Sequence, residues 1–473
     1  MRIIRINNKG WRARFDDGFD EENLSRIADA FGYIWAQSTP GATIYVGYDT
    51  RLNGRRYASL VGAVVAAYGL NVIVSSDPCP TPAVGWATFT DDNAAGAIIL
   101  TASSAEGDFG GISARSQDGG PISDDFYDAA SKIISSMPPK SRGAVTYADI
   151  LTPYLENLVS EVDVDAIREA GLHVVVDPLY GAARSSMAKV LRAVGCRVNE
   201  LHGEELADFA GLRPVPQKPW VDQCEHAVRT FHADMGFVFD SDADRLGLVD
   251  EKGNFVEPHR LAPLILEHLV ERRDMDGRVV ANFSSSALVK RQADRLGCEY
   301  TAVPMGFTRV HREIIEGDVL MATEQFGGVC IPEHLPERDG LMAALLMVES
   351  VAMSKKTVSE MVDELENDLG KMYYVNRDID LDASSIQAFR NILPGIFLSE
   401  VCGMTPVSVG HSDGLVLRFA DDSWVQLRPS RTDPVVRASA EAPDPKLAEA
   451  LGQEACKEAL RRLPIGPWHH RLK

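Results

Sequence analysis

Apolar and polar positions fall into blocks along the chain, and three blocks share one order. Residues 42–47 form a short β-branched run, ATIYVG, followed by the polar turn YDTRLNG and an apolar stretch at 57–68. Residues 172–176, LHVVV, lead into DPLYGAA and a helix-like stretch at 184–194. Residues 278–281, RVVA, lead into NFSSS and a helical stretch at 287–296. A continuous apolar run, a polar turn and then a helix is the repeating unit of a parallel sheet buried on both faces. Further strands are expected at 72–74, 97–100 and 235–239.

The C-terminal part reads differently. Residues 415–419 and 424–427 flank the turn ADDS and predict a hairpin, and a helix is expected at 445–462. The start of this part is expected near Tyr373, after a charged helix at 359–369. The fold class is therefore α/β: three tandem α/β mixed-sheet domains plus a C-terminal α+β domain. Pro, Gly and Ser punctuation and shifts in charge place the domains at 1–143, 144–250, 251–370 and 371–473. The 473 residues are too many for one compact core and enough for several.

Composition narrows the function. With 45% hydrophobic and 25% charged residues, the chain has no signature of disorder. A net charge of -20 repels nucleic acid and anionic lipid, so neither is an expected partner. An anionic substrate would need a local cluster of arginines. Seven scattered cysteines without CxxC spacing suggest free thiols in a reducing compartment. No signal-peptide core opens the sequence, and its apolar runs are too short to span a bilayer. A cytoplasmic metabolic enzyme is expected.

Three segments carry candidate chemistry. In FDSDADRLGLVD, residues 239–250, Asp240, Asp242 and Asp244 alternate just after an apolar run. A turn there can aim three carboxylates at one hard cation such as Mg²⁺ or Ca²⁺. An EF-hand loop also begins D-x-D-x-D, but its sixth position needs Gly and here holds Arg245. A solvated acidic turn is the plainer alternative. In LTASSAEGDFGGI, residues 100–112, small residues and glycines after a strand expose a hydroxyl and backbone N–H groups, which suit phosphate. An ordinary Ser/Gly loop would look alike. In LRPSRTDPVVR, residues 427–437, Arg428, Ser430, Arg431, Thr432 and Arg437 gather cations and hydroxyls around prolines. Guanidinium forks match phosphate oxygens, although a solvated basic turn has the same composition. A metal, an exposed serine and an arginine clamp are together the parts of a phosphoryl-transfer site.

Taken in their order along the chain, these segments resemble the α-D-phosphohexomutase superfamily of phosphoglucomutases, phosphomannomutases and phosphoglucosamine mutases. Gly10-Trp11-Arg12-Ala13 is similar to the end of its FGTDGWRA segment, and residues 47–51, GYDTR, to its G-x-D-x-R. Thr101-Ala102-Ser103 resembles the start of TASHNP, and Asp240, Asp242, Asp244 and Arg245 resemble DGDADR. Glu324 and Gly327 fall in its GEESGH loop, Asp339-Gly340 follow, and residues 428–434 resemble RPSGTEP.

The resemblance implies four domains around a central cleft, with a phosphoryl group moved between O1 and O6 of a hexose. It implies Ser103 as the phosphorylated serine. Mg²⁺ would be held by Asp240, Asp242, Asp244 and an oxygen of phosphorylated Ser103, with Arg12 and Arg245 stabilising the transferred charge. Glu324, Phe326, Gly328 and Gly306 would line the sugar site, and Arg428, Ser430, Arg431, Thr432 and Arg437 would clamp the phosphate that is not reacting. The partners implied are a phosphorylated sugar and a sugar bisphosphate intermediate.

The departures from the pattern are selective. TASHNP reads TASSAE, so Ser104 replaces His, Ala105 Asn and Glu106 Pro. Ser113 stands where the family has Lys, and in the sugar loop Phe326 replaces Ser and Gly328 replaces His. Metal ligands, nucleophile and most of the phosphate clamp remain, while residues that read sugar hydroxyls and move protons do not. Retained phosphoryl chemistry with altered sugar specificity is the leading expectation. A phosphosugar-binding protein or a phosphosugar phosphatase on the same fold is the alternative. Glu106, Asp108 and His334 are nearby replacements for the lost acid/base groups, or plain loop residues.

Overall fold

The computed structural model describes residues 4–7, 10–430 and 435–461. Each expected run-turn-helix block is a strand followed by a helix. The first is strand Thr43–Tyr48 with helix Gly54–Ala66, the second His173–Asp177 with Ser186–Ala193, and the third Arg278–Asn282 with Ala287–Leu296. Ends differ from the expected ones by up to three residues; in the first block the polar turn itself supplies the first helical residue, Gly54.

Four sheets result. In the first, strand Thr43–Tyr48 lies parallel to Asn71–Ser75 and Ala94–Leu100. Ala94–Leu100 pairs antiparallel with Phe109–Arg115, which pairs with Trp11–Arg14 at the edge. A sixth strand, Thr146–Ala148, joins Asn71–Ser75, so the first sheet extends past the expected cut at residue 143. The second sheet places His173–Asp177 between Arg197–Glu200 and Met235–Phe239. Met235–Phe239 turns back into Leu246–Val249, and Phe255–Val256 completes this sheet beyond residue 250. The expected cuts fall short of these strands because such short edge strands carry no apolar run long enough to read. The third sheet has strands Tyr300–Val303, Arg278–Asn282, Val319–Thr323 and Val329–Cys330 in that order. The fourth is wholly antiparallel, with the expected hairpin as Leu415–Arg418 and Trp424–Pro429 beside Val435–Ala442 and Tyr373–Asp380.

Helix Gly340–Ser354 welds the middle of the molecule. Every residue from Gly340 to Ala352 is buried. A helix apolar on all sides must be covered on all sides, and its side chains belong to one core with the second and third sheets. The C-terminal domain has its own core. It meets the third domain through Glu441, whose carboxylate accepts the Ala287 N–H at 2.8 Å at a helix N-terminus, where the peptide dipoles favour an anion. Asp413 Oδ2 accepts the Met305 N–H at 2.9 Å at a second junction. No helix among the described residues is long and apolar enough to cross a membrane.

Candidate active site

The serine loop links strand Ala94–Leu100 to strand Phe109–Arg115. Ser103 takes a left-handed backbone, φ 49°, and its N–H donates to Thr101 Oγ1 at 2.8 Å. Its hydroxyl lies 3.2 Å from Asp240 Oδ2, while the Ser104 hydroxyl lies 3.1 Å from the same oxygen.

Arg51, from the turn after Thr43–Tyr48, shapes this loop. Its Nε pairs with Asp49 Oδ2 at 3.1 Å. Nη1 donates to the carbonyls of Glu106 and Phe109 at 2.6 and 2.9 Å, and Nη2 to those of Ser103 and Ala105 at 2.6 and 2.7 Å. All five guanidinium N–H groups are thus used. Asp49 Oδ2 also accepts from Thr101 Oγ1 at 2.7 Å and Ser241 Oγ at 3.0 Å, tying the serine loop to the metal loop. From the second domain, Phe209 lies 4.8 Å from the Arg51 guanidinium, and Arg213 Nε donates to the Ser104 carbonyl at 3.1 Å.

The aspartates occupy the tight turn between strands Met235–Phe239 and Leu246–Val249, with Ala243 left-handed at φ 56°. A strand on each side excludes the EF-hand arrangement, which needs helices. One oxygen from each of Asp240, Asp242 and Asp244 lies within 4.8 Å of the others. Thr81 Oγ1 holds Asp242 Oδ2 at 2.8 Å, and Arg338 holds Asp244 Oδ2 at 2.7 Å. Asp242 Oδ1 and Asp244 Oδ1 are buried without a hydrogen-bond partner. An orphaned buried carboxylate oxygen is costly, and a hard divalent cation satisfies both. Burial, then Asp244 and Asp242, pushes the Asp240 carboxyl well above the usual range, and burial and Asp244 push Asp242 up to about 6. Burial opposes ionisation of Asp244 too, but Arg338 and Arg245 outweigh it and lower its pKa. Two of the three carboxylates, Asp240 and Asp242, resist carrying negative charge beside the third, which fits a cation.

Arginines ring this centre. Arg245 Nη1 donates to Ser104 Oγ at 2.7 Å and lies 3.8 Å from Asp240. Arg12 projects from edge strand Trp11–Arg14 on its open face. The protein around it still desolvates the guanidinium and lowers its pKa to about 10, against the attraction of Asp242.

The loop expected to meet the sugar follows strand Val319–Thr323. Glu324 pairs with Arg338 at 3.0 Å. Gln325 is buried, and Phe326 is half-buried and outside the hydrophobic cores, so the ring does not turn into the interior. Gly306 precedes helix Phe307–Glu316. In the C-terminal domain, Arg428 and Arg437 are cross-strand partners, and the Ser430 N–H donates to the Val435 carbonyl at 2.8 Å. Arg390 donates to the Ser430 carbonyl. Arg431 and Thr432 lie outside the described residues.

Of the possible replacements for the lost acid/base groups, His334 is buried and pairs with Asp339 at 3.0 Å, with Asn157 3.5 Å from its other nitrogen. It braces the start of helix Gly340–Ser354. Asp108 pairs with Arg14 at 2.6 Å, and Glu106 is exposed. Sequence reasoning missed Arg213, Arg338 and the role of Arg51. The D-x-R of the GYDTR turn was the only signal for any of them.

Three family models match the chain in succession: phosphoglucomutase/phosphomannomutase α/β/α domain I over residues 4–139, domain II over 152–253 and domain III over 257–368. The phosphoglucomutase/phosphomannomutase of Thermococcus kodakarensis is 28% identical, over 96% of this chain and 98% of its own. The phosphoglucosamine/phosphogalactosamine mutase of Sulfurisphaera tokodaii is 26% identical, over 92% of this chain and 94% of its own. A crystal structure from Thermus thermophilus, assigned as a phosphomannomutase, is 29% identical with TM-score 0.86, covering 96% of this chain and 99% of that one.

Proposed function

Given that the chain belongs to the phosphoglucomutase/phosphomannomutase family of the α-D-phosphohexomutase superfamily, we propose that it moves a phosphoryl group within a sugar phosphate through Ser103, with altered sugar specificity. The observation that carries this reading is the approach of the Ser103 hydroxyl to 3.2 Å from Asp240, within a cluster of three buried carboxylates. Nucleophile and metal ligands come from different domains, and such convergence has no use in a solvated turn.

In the proposed cycle, phosphorylated Ser103 gives its phosphoryl group to a hydroxyl of the sugar monophosphate. The bisphosphate reverses in the cleft and returns its other phosphoryl to Ser103 Oγ. Asp240, Asp242 and Asp244 would hold Mg²⁺, which neutralises charge on the transferred group. Arg245 and Arg12 add positive charge beside it. Arg428, Ser430 and Arg437, with Arg431 and Thr432, hold the phosphate that is not reacting, so that its binding energy orients the one that is. Glu324 accepts hydrogen bonds from sugar hydroxyls, with Gly306 and Gly328 in the backbone beside it. Phe326 offers no hydrogen bond where the family has a serine, and this selects against a hydroxyl there.

Intact mass after incubation with glucose 1,6-bisphosphate tests the reading. A phosphoryl adduct is expected, mapping to Ser103. Ser103→Ala abolishes the adduct and transfer, whereas Ser104→Ala leaves measurable activity. The reverse ranking would overturn the assignment. Asp242→Ala lowers Mg²⁺ affinity by orders of magnitude, and an unchanged Mg²⁺ dependence would count against the cation site.

A further inference from the structure

Arg338 lies just ahead of helix Gly340–Ser354, in a segment with no assigned role. Its guanidinium meets three carboxylates: Asp244 Oδ2 at 2.7 Å through Nη2, Glu324 Oε2 at 3.0 Å through Nη1 and Glu337 Oε1 at 3.2 Å through Nε. Its face lies 4.9 Å from the ring of Phe307, the residue after Gly306. Burial opposes its charge, but Asp244, Glu337 and Glu324 push its pKa up, so it is a permanent cation. Glu337 is fully buried and takes Arg115 of the first domain at 2.8 Å.

We propose that Arg338 is the positioning residue that aims Glu324 at the sugar and fixes the sugar loop relative to the metal loop. The proposal rests on the reading of Glu324 as a sugar contact. Arg338 engages Oε2 of Glu324, and Oε1 accepts no hydrogen bond among the described residues. One oxygen is anchored and the other is presented. A carboxylate without that anchor samples several rotamers and loses entropy when a sugar selects one. Because the anchor also grips Asp244, the oxygen that reads the sugar stands in a fixed relation to the centre that receives the phosphoryl. A lysine cannot do this, since a point charge on a flexible stem lacks a planar fork to span several carboxylates.

Gly328 makes the arrangement possible. A Cβ there would stand 2.7 Å from Arg338 Cδ and 3.2 Å from its Cγ. The side chain absent from the sugar loop is therefore the space that the arginine stem fills. Where the family has His, this chain has the stem of Arg338 against a bare backbone.

The probe is glucose 1,6-bisphosphate, and the readout is the concentration giving half the maximal rate of Ser103 phosphorylation. Glu324→Gln is expected to raise it about tenfold, about 1.4 kcal/mol. In an Arg338→Lys background the same change raises it less than about twofold, because Glu324 is no longer aimed. A residue that only stabilises the fold lowers the melting temperature and leaves the two effects multiplicative. Gly328→Ala is the second background: it displaces the stem without removing the charge, and it too shrinks the effect of Glu324→Gln. An equal effect of Glu324→Gln in every background that melts cooperatively would overturn the proposal. Failure of the unmodified chain to take any phosphoryl group would instead strike the functional reading beneath it.

Discussion

The serine loop and the sugar loop are held by different kinds of contact. Arg51 grips the serine loop by the backbone carbonyls of Ser103, Ala105, Glu106 and Phe109. Every residue type has a carbonyl, so side chains there can change while the loop keeps its shape. TASHNP has become TASSAE at this site, yet the Ser103 hydroxyl still reaches Asp240. The loop at 324–328 has main-chain links of its own, such as the Leu246 N–H to the Gly327 carbonyl at 3.0 Å, but its arginine grips side chains: Arg338 needs the carboxylate of Glu324 and the missing side chain of Gly328. Changes there alter the side chains that the loop presents. Under the proposed function, the reacting serine is insulated from sequence drift by a grip on the main chain, and specificity is exposed to it by a grip on side chains.

The largest test of this contrast is Arg51→Met. The guanidinium and the Asp49 carboxylate are almost fully buried, so removing one partner leaves the other charged and desolvated. A loss of about 3–5 kcal/mol from the first domain is expected, measured by denaturant unfolding, together with loss of Ser103 phosphorylation. Retention of both would show that the carbonyl grip is not what shapes the loop. A middle effect is expected from Phe326→Ser on the sugar loop. Restoring a hydroxyl partner gains about 1–3 kcal/mol for a substrate that presents a hydroxyl there. In steady-state kinetics, kcat/KM for glucose 1-phosphate or mannose 1-phosphate rises accordingly. If the unaltered protein already turns these over at about 10⁴–10⁸ M⁻¹s⁻¹, altered specificity is wrong. The smallest effect belongs to Glu106→Gln, which changes only the side chain of a residue held by its carbonyl. Stability should stay within about 0.5 kcal/mol, with serine phosphorylation unchanged. A large loss would mean that the serine loop depends on side chains after all.

Much of this was legible in the chain. Buried strands such as Thr43–Tyr48 and Met235–Phe239 are continuous apolar runs, and the aspartates of the metal loop follow one of them directly. Ser103 stands out as a candidate because a strand and small residues precede it. Arg51 could be noticed but not understood, because most of its acceptors are main-chain carbonyls more than fifty positions away, which leave no mark on residue identity. Arg338 was invisible for a related reason: it joins Glu324 to Asp244 across a domain boundary. Gly328 read as a loss because one sequence shows that a side chain is missing and not what fills its place. The edge strands Thr146–Ala148 and Phe255–Val256 were missed because they are too short to show a pattern.

The use of all five Arg51 donors has a consequence for how a catalytic cycle is shared between protein and ligand. A loop with four of its carbonyls already committed cannot swing outward to follow a leaving group without breaking several charge-assisted bonds at once. Under the proposed chemistry one serine must serve both ends of a hexose. The serine is the stationary part, so the sugar is the rotor. Under that chemistry the site must give a doubly phosphorylated molecule room to turn while keeping it from escaping, and the motion belongs to the ligand rather than to the nucleophile.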